Sequence, residues 1–422
     1  MSSLSRRRFL AGSGLATAGA ISLAGARFAF AAPGTPNTGD VLVVLNLGGG
    51  VDSLIMTPPY DYPSYHQMRP LTKVLPPGEN GGALPLTSAT ANGNALFPTG
   101  IEGVVGLHPA MAPVYETLWP TGNLAIVPSI GIPRSEDPTR SHFSARRVLE
   151  RGTADNTVGG GWMGRALNLA NPPGLVGGFN FSKQSLALSS GDRIISGQNA
   201  ADFGFEDFDG LVSPAATIGS LFSGADSVST EGRLALDVTT SLSQLDFSLR
   251  PGYPDTEMGR SLSQIATMLK ADVGLHAAIM ETGNWDHHDA LGETGDTEGP
   301  FWSLASDMAQ AMRAFADDTN QLEEITLVTV CEFGRTIEEK SNTGSDHGRA
   351  TAFMAMGQGI QGGVFGNDFP DTIEHAGWGG DLEVLTDFRT MLSEILRKRM
   401  GVSNLDVVFP TYDGAPELGL AR

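Results

Sequence analysis

Five short apolar runs limit what this chain can fold into. Residues 40–46 (DVLVVLN), 124–130 (LAIVPSI), 275–281 (LHAAIME), 325–331 (ITLVTVC) and 351–356 (TAFMAM) are largely apolar and rich in β-branched residues. A strand with one wet face alternates apolar and polar residues. The first run has no such alternation, which reads as a strand buried on both faces. Helical spacing fills the stretches between the runs. Residues 141–150 read as a helix starting near Ser141. Two amphipathic helices precede residue 275, the second with Leu262, Ile265 and Leu269 on one face. Residues 302–319 place Leu304, Met308, Ala311, Met312 and Phe315 at helical intervals, and 386–400 form a closing helix with Leu392, Ile395 and Leu396 inward. Its last turn carries Arg397, Lys398 and Arg399, where cations suit the helix dipole. Buried strands alternating with helices imply an α/β fold, a mostly parallel sheet with helices on both faces. No repeat and no linker divides the chain, so one domain is expected, with an insertion rich in Gly, Ser and Asp at about 171–230.

Composition removes several function classes. Hydrophobic residues make up 41% of the 422 and charged residues 18%, too apolar for disorder. The net charge of -20 disfavours nucleic acid and anionic lipid, which need basic surface. The single cysteine, Cys331, excludes a disulfide framework and a cysteine-rich metal site.

The first 31 residues read as an address. Arg6-Arg7-Arg8-Phe9-Leu10 precedes a mild Ala/Gly-rich stretch, and Ala29-Phe30-Ala31 supplies the small residues of a cleavage site. The arginine pair fits the twin-arginine route. A periplasmic or secreted protein is expected, with no membrane span after cleavage.

In such sheets ligands bind beyond the carboxyl ends of the strands. The first run is followed by three glycines and Asp52. The second leads to Thr139, Arg140, Ser141 and His142. The third leads to Asp286, His287, His288 and Asp289, and the fourth to Glu332 and Arg335. Asp346 and His347 stand just before the fifth. Carboxylates and imidazoles in this density suit a divalent metal. Read singly, Asp52 and Ser141 are also ordinary helix caps. There is no nucleophile elbow, P-loop or H-E-x-x-H, and two G-x-G-x-x-G matches lack the strand–helix setting.

Seven segments carry a family resemblance: 48–54 (GGGVDSL), 140–152 (RSHFSARRVLERG), 283–291 (GNWDHHDAL), 331–336 (CEFGRT), 345–350 (SDHGRA), 362–366 (GGVFG) and 386–396 (TDFRTMLSEIL). With them the chain resembles the twin-arginine-exported bacterial proteins grouped as a domain of unknown function within the alkaline phosphatase and sulfatase superfamily. That resemblance implies a metal-dependent hydrolase of phosphate or sulfate esters, acting on an anionic small-molecule or polymeric ester. A non-catalytic exported metal-binding or scaffold protein of the same fold is the alternative. It implies divalent metal: zinc, one ion or two, with calcium or magnesium as alternatives. The implied ligands are Asp52, Asp286, His288, Glu332, Asp346 and His347. Either Glu332 or the Asp346-His347 pair supplies the late carboxylate, because the superfamily pair normally follows a strand directly. Ser141 or Thr139 is the implied nucleophile. Arg140 or Arg335 would hold the ester, and His142 would be ligand or base. No cysteine stands near 139 for the modified nucleophile of most sulfatases.

Overall fold

A computed structural model describes residues 40–172, 176–182, 188, 190, 194–204, 214–366, 373 and 380–422. The expected address at 1–31 and parts of the expected insertion lie outside them. Nine strands form the main sheet: β1 (Val41–Leu47), β2 (Leu124–Gly131), β3 (Gly178–Phe181), β4 (Ile194–Ser196), β5 (Ala277–Thr282), β6 (Ile325–Val330), β7 (Thr351–Met356), β8 (Gly363–Val364) and β9 (Thr386–Asp387). The order is β8-β2-β7-β6-β1-β5-β3-β4, and β9 pairs with β2. The expected α/β fold with a mostly parallel sheet is the fold adopted. Every residue of β1, β2, β6 and β7 is buried. Successive side chains point to opposite faces, so both faces of the central sheet are covered.

Strand direction decides what meets at the edge. β1 runs parallel to β5 and to β6, with Leu47 level with Thr282 and Asn46 level with Val330. β7 runs antiparallel to both β6 and β2, with Ile130 level with Thr351. The start of β7 therefore lies at the same edge as the ends of β1, β2, β5 and β6. Five segments thus converge there, four leaving strands and one entering.

The expected helices are present, as α1 (His142–Arg151), α2 (Glu257–Lys270), α3 (Pro300–Asp318) and α4 (Phe388–Met400). Thr256 caps α2 by accepting from Gly259 N, and α3 buries Phe301, Met308, Met312 and Phe315. Gly401 ends α4 at φ +68°, and Arg399 there pairs with Asp40 at 2.6 Å.

The segment at 171–230 differs from expectation. Its residues include β3 and β4, which extend the sheet in parallel beyond β5. Phe179, fully buried, is the apolar anchor of that edge. The run is four residues long and interrupted by Gly178 and Asn180, too short for its pattern to be read.

Candidate metal centre

Three imidazoles and a carboxylate meet at this edge. His142 opens α1, Asp286 and His288 follow β5, and His347 precedes β7. His347 Nε2 lies 3.0 Å from His142 Nε2 and 2.9 Å from His288 Nε2. Asp286 Oδ1 is 3.1 Å from His288 Nε2 and 3.2 Å from His347 Nε2. Its Oδ2 is 3.4 Å from His142 Nε2. Donor atoms of His142, Asp286 and His347 all lie within 4.8 Å of one another.

The other ring nitrogens decide what these atoms can do. His142 Nδ1 is 2.8 Å from Glu332 Oε1, and His288 Nδ1 is 3.3 Å from Asp346 Oδ1. His347 Nδ1 is 3.1 Å from the carbonyl oxygen of Arg140. Carboxylates and carbonyls only accept, so each Nδ1 can donate to its acceptor, and in that tautomer each Nε2 offers a lone pair. Three lone pairs and a carboxylate at these separations then repel, and a metal ion or a proton among them relieves the repulsion. That donor chemistry fits a divalent metal, and the acceptors behind each imidazole are the usual support of metal-ligating histidines.

Charge around the cluster is uneven. The Glu332 hydrogen bond raises the His142 pKa against the opposing effect of burial. Burial, then the neighbouring His142 and Arg335 charges, lower that of His347. Asp286 resists the upward push of its own burial, because the Arg335 hydrogen bond and charge hold it at about 2. The Asp286 carboxylate is ionised throughout the neutral range.

The frame is built from backbone and buried ions. Arg335, 1% exposed, donates to the carbonyls of Gly49, Gly50, Trp285 and Ser345 and to Asp286. It ties three strand ends together. Gly49 (φ +126°) lets the β1 loop touch the β5 loop: a Cβ there would lie 2.6 Å from Asp286 N. Gly49 N also donates to Glu332 Oε1 at 2.9 Å. Arg146 on α1 pairs with Glu281 at the end of β5 at 2.7 Å, fixing the His142 helix against the Asp286 strand.

The other expected site residues are held by specific partners. Asp52 is buried and held bidentately by Arg69, at 2.8 and 3.2 Å, and accepts from Ser345 Oγ. Its oxygens are thus engaged in a buried ion pair. Arg69 was not singled out from the sequence; it lies 17 residues from Asp52 in a proline-flanked stretch with no motif around it. Glu332 faces His142 Nδ1 and Gly49 N, behind the His142 ring. Asp346 stands likewise behind His288 and is paired with Lys340 Nζ at 2.5 Å. Arg335 is buried, with its donors turned to the strand-end carbonyls and Asp286. His142, expected as ligand or base, lies in the donor cluster with Asp286, His288 and His347.

A cleft of about 620 Å³ opens on the cluster, lined by Thr139, Arg140, His288, Lys340, Asp346 and His347 among others. Arg140 is 41% exposed there. Ser141 is the N-cap of α1 with extended dihedrals, but its side chain makes no capping bond, and it is not among the lining residues. Thr139 does line the cleft, with Oγ1 donating to Asp137 Oδ1 at 2.7 Å.

Residues 222–376 match the family model described as "Protein of unknown function (DUF1501)". The match includes Asp286, His288, Glu332 and His347 but not His142. No curated protein matches the chain. Among solved structures, the lipoteichoic acid synthase LtaP from Listeria monocytogenes is similar over 82% of this chain and 74% of its own, at 9% identity and TM-score 0.25. The PsFucS1 sulfatase from Pseudoalteromonas sp. is similar over 91% and 73%, at 12% identity and TM-score 0.34. Superpositions this loose carry no argument, and the fold stands on its own strand order. Among the described residues no helix is long and apolar enough to cross a membrane.

Proposed function

We propose that this chain is an exported, metal-dependent hydrolase of phosphate or sulfate esters. One observation carries the reading. Three imidazole Nε2 atoms and the Asp286 carboxylate converge, with every Nδ1 committed to an acceptor. His142, Asp286, His288 and His347 would hold the ion. A divalent metal bound there supplies Lewis-acid charge for an ester oxygen. Zinc suits three nitrogens and one oxygen better than calcium or magnesium, which prefer oxygen-only sets.

The chain's own groups do the rest. Arg140 and Lys340 place two cations on the cleft wall for the anionic ester. Ser141 is the proposed nucleophile: it flanks both Arg140 and His142, and its hydroxyl is not spent on a cap bond. Thr139 is the competing hydroxyl, with its proton already directed at Asp137. The second reading, a metal-binding protein without turnover, is favoured by one fact: Ser141 is not among the residues lining the cleft.

Metal analysis of the purified protein, then a panel of phosphate and sulfate esters, tests the proposal. The expectation is stoichiometric divalent metal, and hydrolysis abolished by Ser141→Ala with metal content intact. If Thr139→Ala abolishes it instead, the nucleophile is reassigned. Metal without turnover on any ester selects the second reading. No metal under any loading condition rejects both.

A further inference from the structure

Three guanidinium groups share one carboxylate at the rim of the cleft. Arg140 Nη1 lies 2.7 Å from Asp381 Oδ1. Arg349 Nε faces Asp381 Oδ2 at 3.3 Å, and Arg134 Nη2 is 3.8 Å from the same oxygen. Arg349 is anchored, because its Nη1 and Nη2 donate to the carbonyls of Asp137 and Pro138. Arg140 is the one of the three that also lines the cleft, beside His288 and His347.

Removing one partner from a largely buried ion pair normally strands an uncompensated charge. Asp381, 13% exposed, escapes that cost, since Arg349 and Arg134 remain when Arg140 leaves. The Arg140 backbone need not move. It sits at φ +55°, and its carbonyl oxygen accepts from His347 Nδ1, so only the side chain has to swing, giving up its Nη1 bonds to Asp381 and to the His347 carbonyl. A guanidinium fork also matches the oxygens of a phosphate or sulfate bidentately.

We propose that Arg140 is a movable anion arm. It is parked on Asp381 in the free protein and transferred to the oxyanion of an ester in the cleft, while Arg349 and Arg134 keep Asp381 compensated. The ester as ligand rests on the hydrolase reading; the arm itself requires only an oxyanion. Asp381 thereby acts as a built-in competitor that sets how tightly anions bind.

The test is calorimetric titration of inorganic phosphate into the full-length purified protein, with and without chelator. Arg140→Gln should weaken binding about tenfold or more, the loss of a charge-assisted hydrogen bond. Asp381→Asn should tighten it about three- to tenfold by freeing the arm. Thermal melts of each variant check the fold, and Asp381→Asn keeps the test decisive should Arg140→Gln fold poorly. The proposal is overturned if wild type binds no phosphate, if Arg140→Gln binds as wild type does, or if Asp381→Asn binds no tighter. The two readings fail separately. Protein that takes up no metal under any loading condition yet retains these ratios rejects the hydrolase reading and leaves the arm standing. Metal-loaded protein lacking them does the reverse.

Discussion

Glu332→Gln is the sharpest probe of the centre, because it changes charge without changing size. The side chain is 5% exposed, and Oε1 accepts from His142 Nδ1 at 2.8 Å and Gly49 N at 2.9 Å. Glutamine keeps an acceptor oxygen but loses the charge that orients the ring and makes it a better donor. Changes to such supporting groups cost about 10–100-fold in metal affinity. With free metal at about 100 times the wild-type Kd, binding adds about 2.7 kcal/mol to stability. A tenfold weaker variant gains about 1.4 kcal/mol, and a 100-fold weaker one about 0.4 kcal/mol. Unfolding roughly 380 residues carries an entropy of about 0.8 kcal/mol/K. Metal should therefore raise Tm by about 3 °C in wild type and by about 0.5–2 °C in the variant. In metal-free protein the same bond raises the His142 pKa above 6.5. Its stabilisation is full below that value and lost as pH rises through the folded value, so the melts belong at alkaline pH. Competition with a chromophoric chelator gives the affinities directly. Equal zinc affinity in the two proteins would refute the idea that Glu332 orients a ligand.

Gly49→Ala should destabilise the fold by about 2–4 kcal/mol and abolish metal binding, from its positive φ and a Cβ 2.6 Å from Asp286 N. Gly283→Ala, whose Cβ would meet nothing within 4 Å, is the control, and equal urea midpoints would discount the close approach. Asp318 joins Arg250 at 2.5 Å and Lys270 at 2.6 Å across the ends of α2 and α3. The Arg250 hydrogen bond, working against burial, lowers its pKa from 3.8 to about 2. A depressed carboxylate pKa gives stability present above about pH 4 and lost as pH falls through 2, so Asp318→Asn should cost about 1–2 kcal/mol at pH 7 and progressively less toward pH 2. A pH-independent penalty in denaturant titrations would exclude the ion pairs as its source. Replacing Arg6 and Arg7 by Lys should leave unprocessed precursor in the cytoplasm on fractionation, and unchanged export would point to another route.

The strands were legible because burial on both faces leaves a mainly apolar run without period-two alternation, as in β1. Their direction was not. A strand's composition is the same whichever way it runs, so the antiparallel course of β7 left no mark on residues 351–356. That one reversal explains why Asp346 and His347 precede their strand and yet reach the common edge. It also brings Asp346 behind His288 while Glu332 stands behind His142, one on each side of His347. The roles of Asp52 and His142 were hidden for a related reason. Presence at a strand end brings a side chain to the edge, but whether it faces the centre depends on long-range partners. Arg69 claims Asp52 from 17 residues away, and Glu332 turns His142 inward from 190 away.

Those reassignments change the electrostatics of the proposed reaction. The six-residue ligand set expected from the sequence held four carboxylates, which even one divalent ion would leave at net -2, repelling an anionic ester. Metal binding requires neutral imidazoles, so the cluster of three imidazoles and Asp286 would stand at +1 with one divalent ion bound. Adding Glu332 and Asp346 behind the rings, with Arg335 on Asp286 and Lys340 on Asp346, leaves that value unchanged. Glu338 and Glu339 also line the cleft, opposite Arg140, so that positive charge is confined to the cluster itself. Glu332 stands to the rear of the His142 imidazole, where its charge would strengthen a ligand instead of facing the substrate.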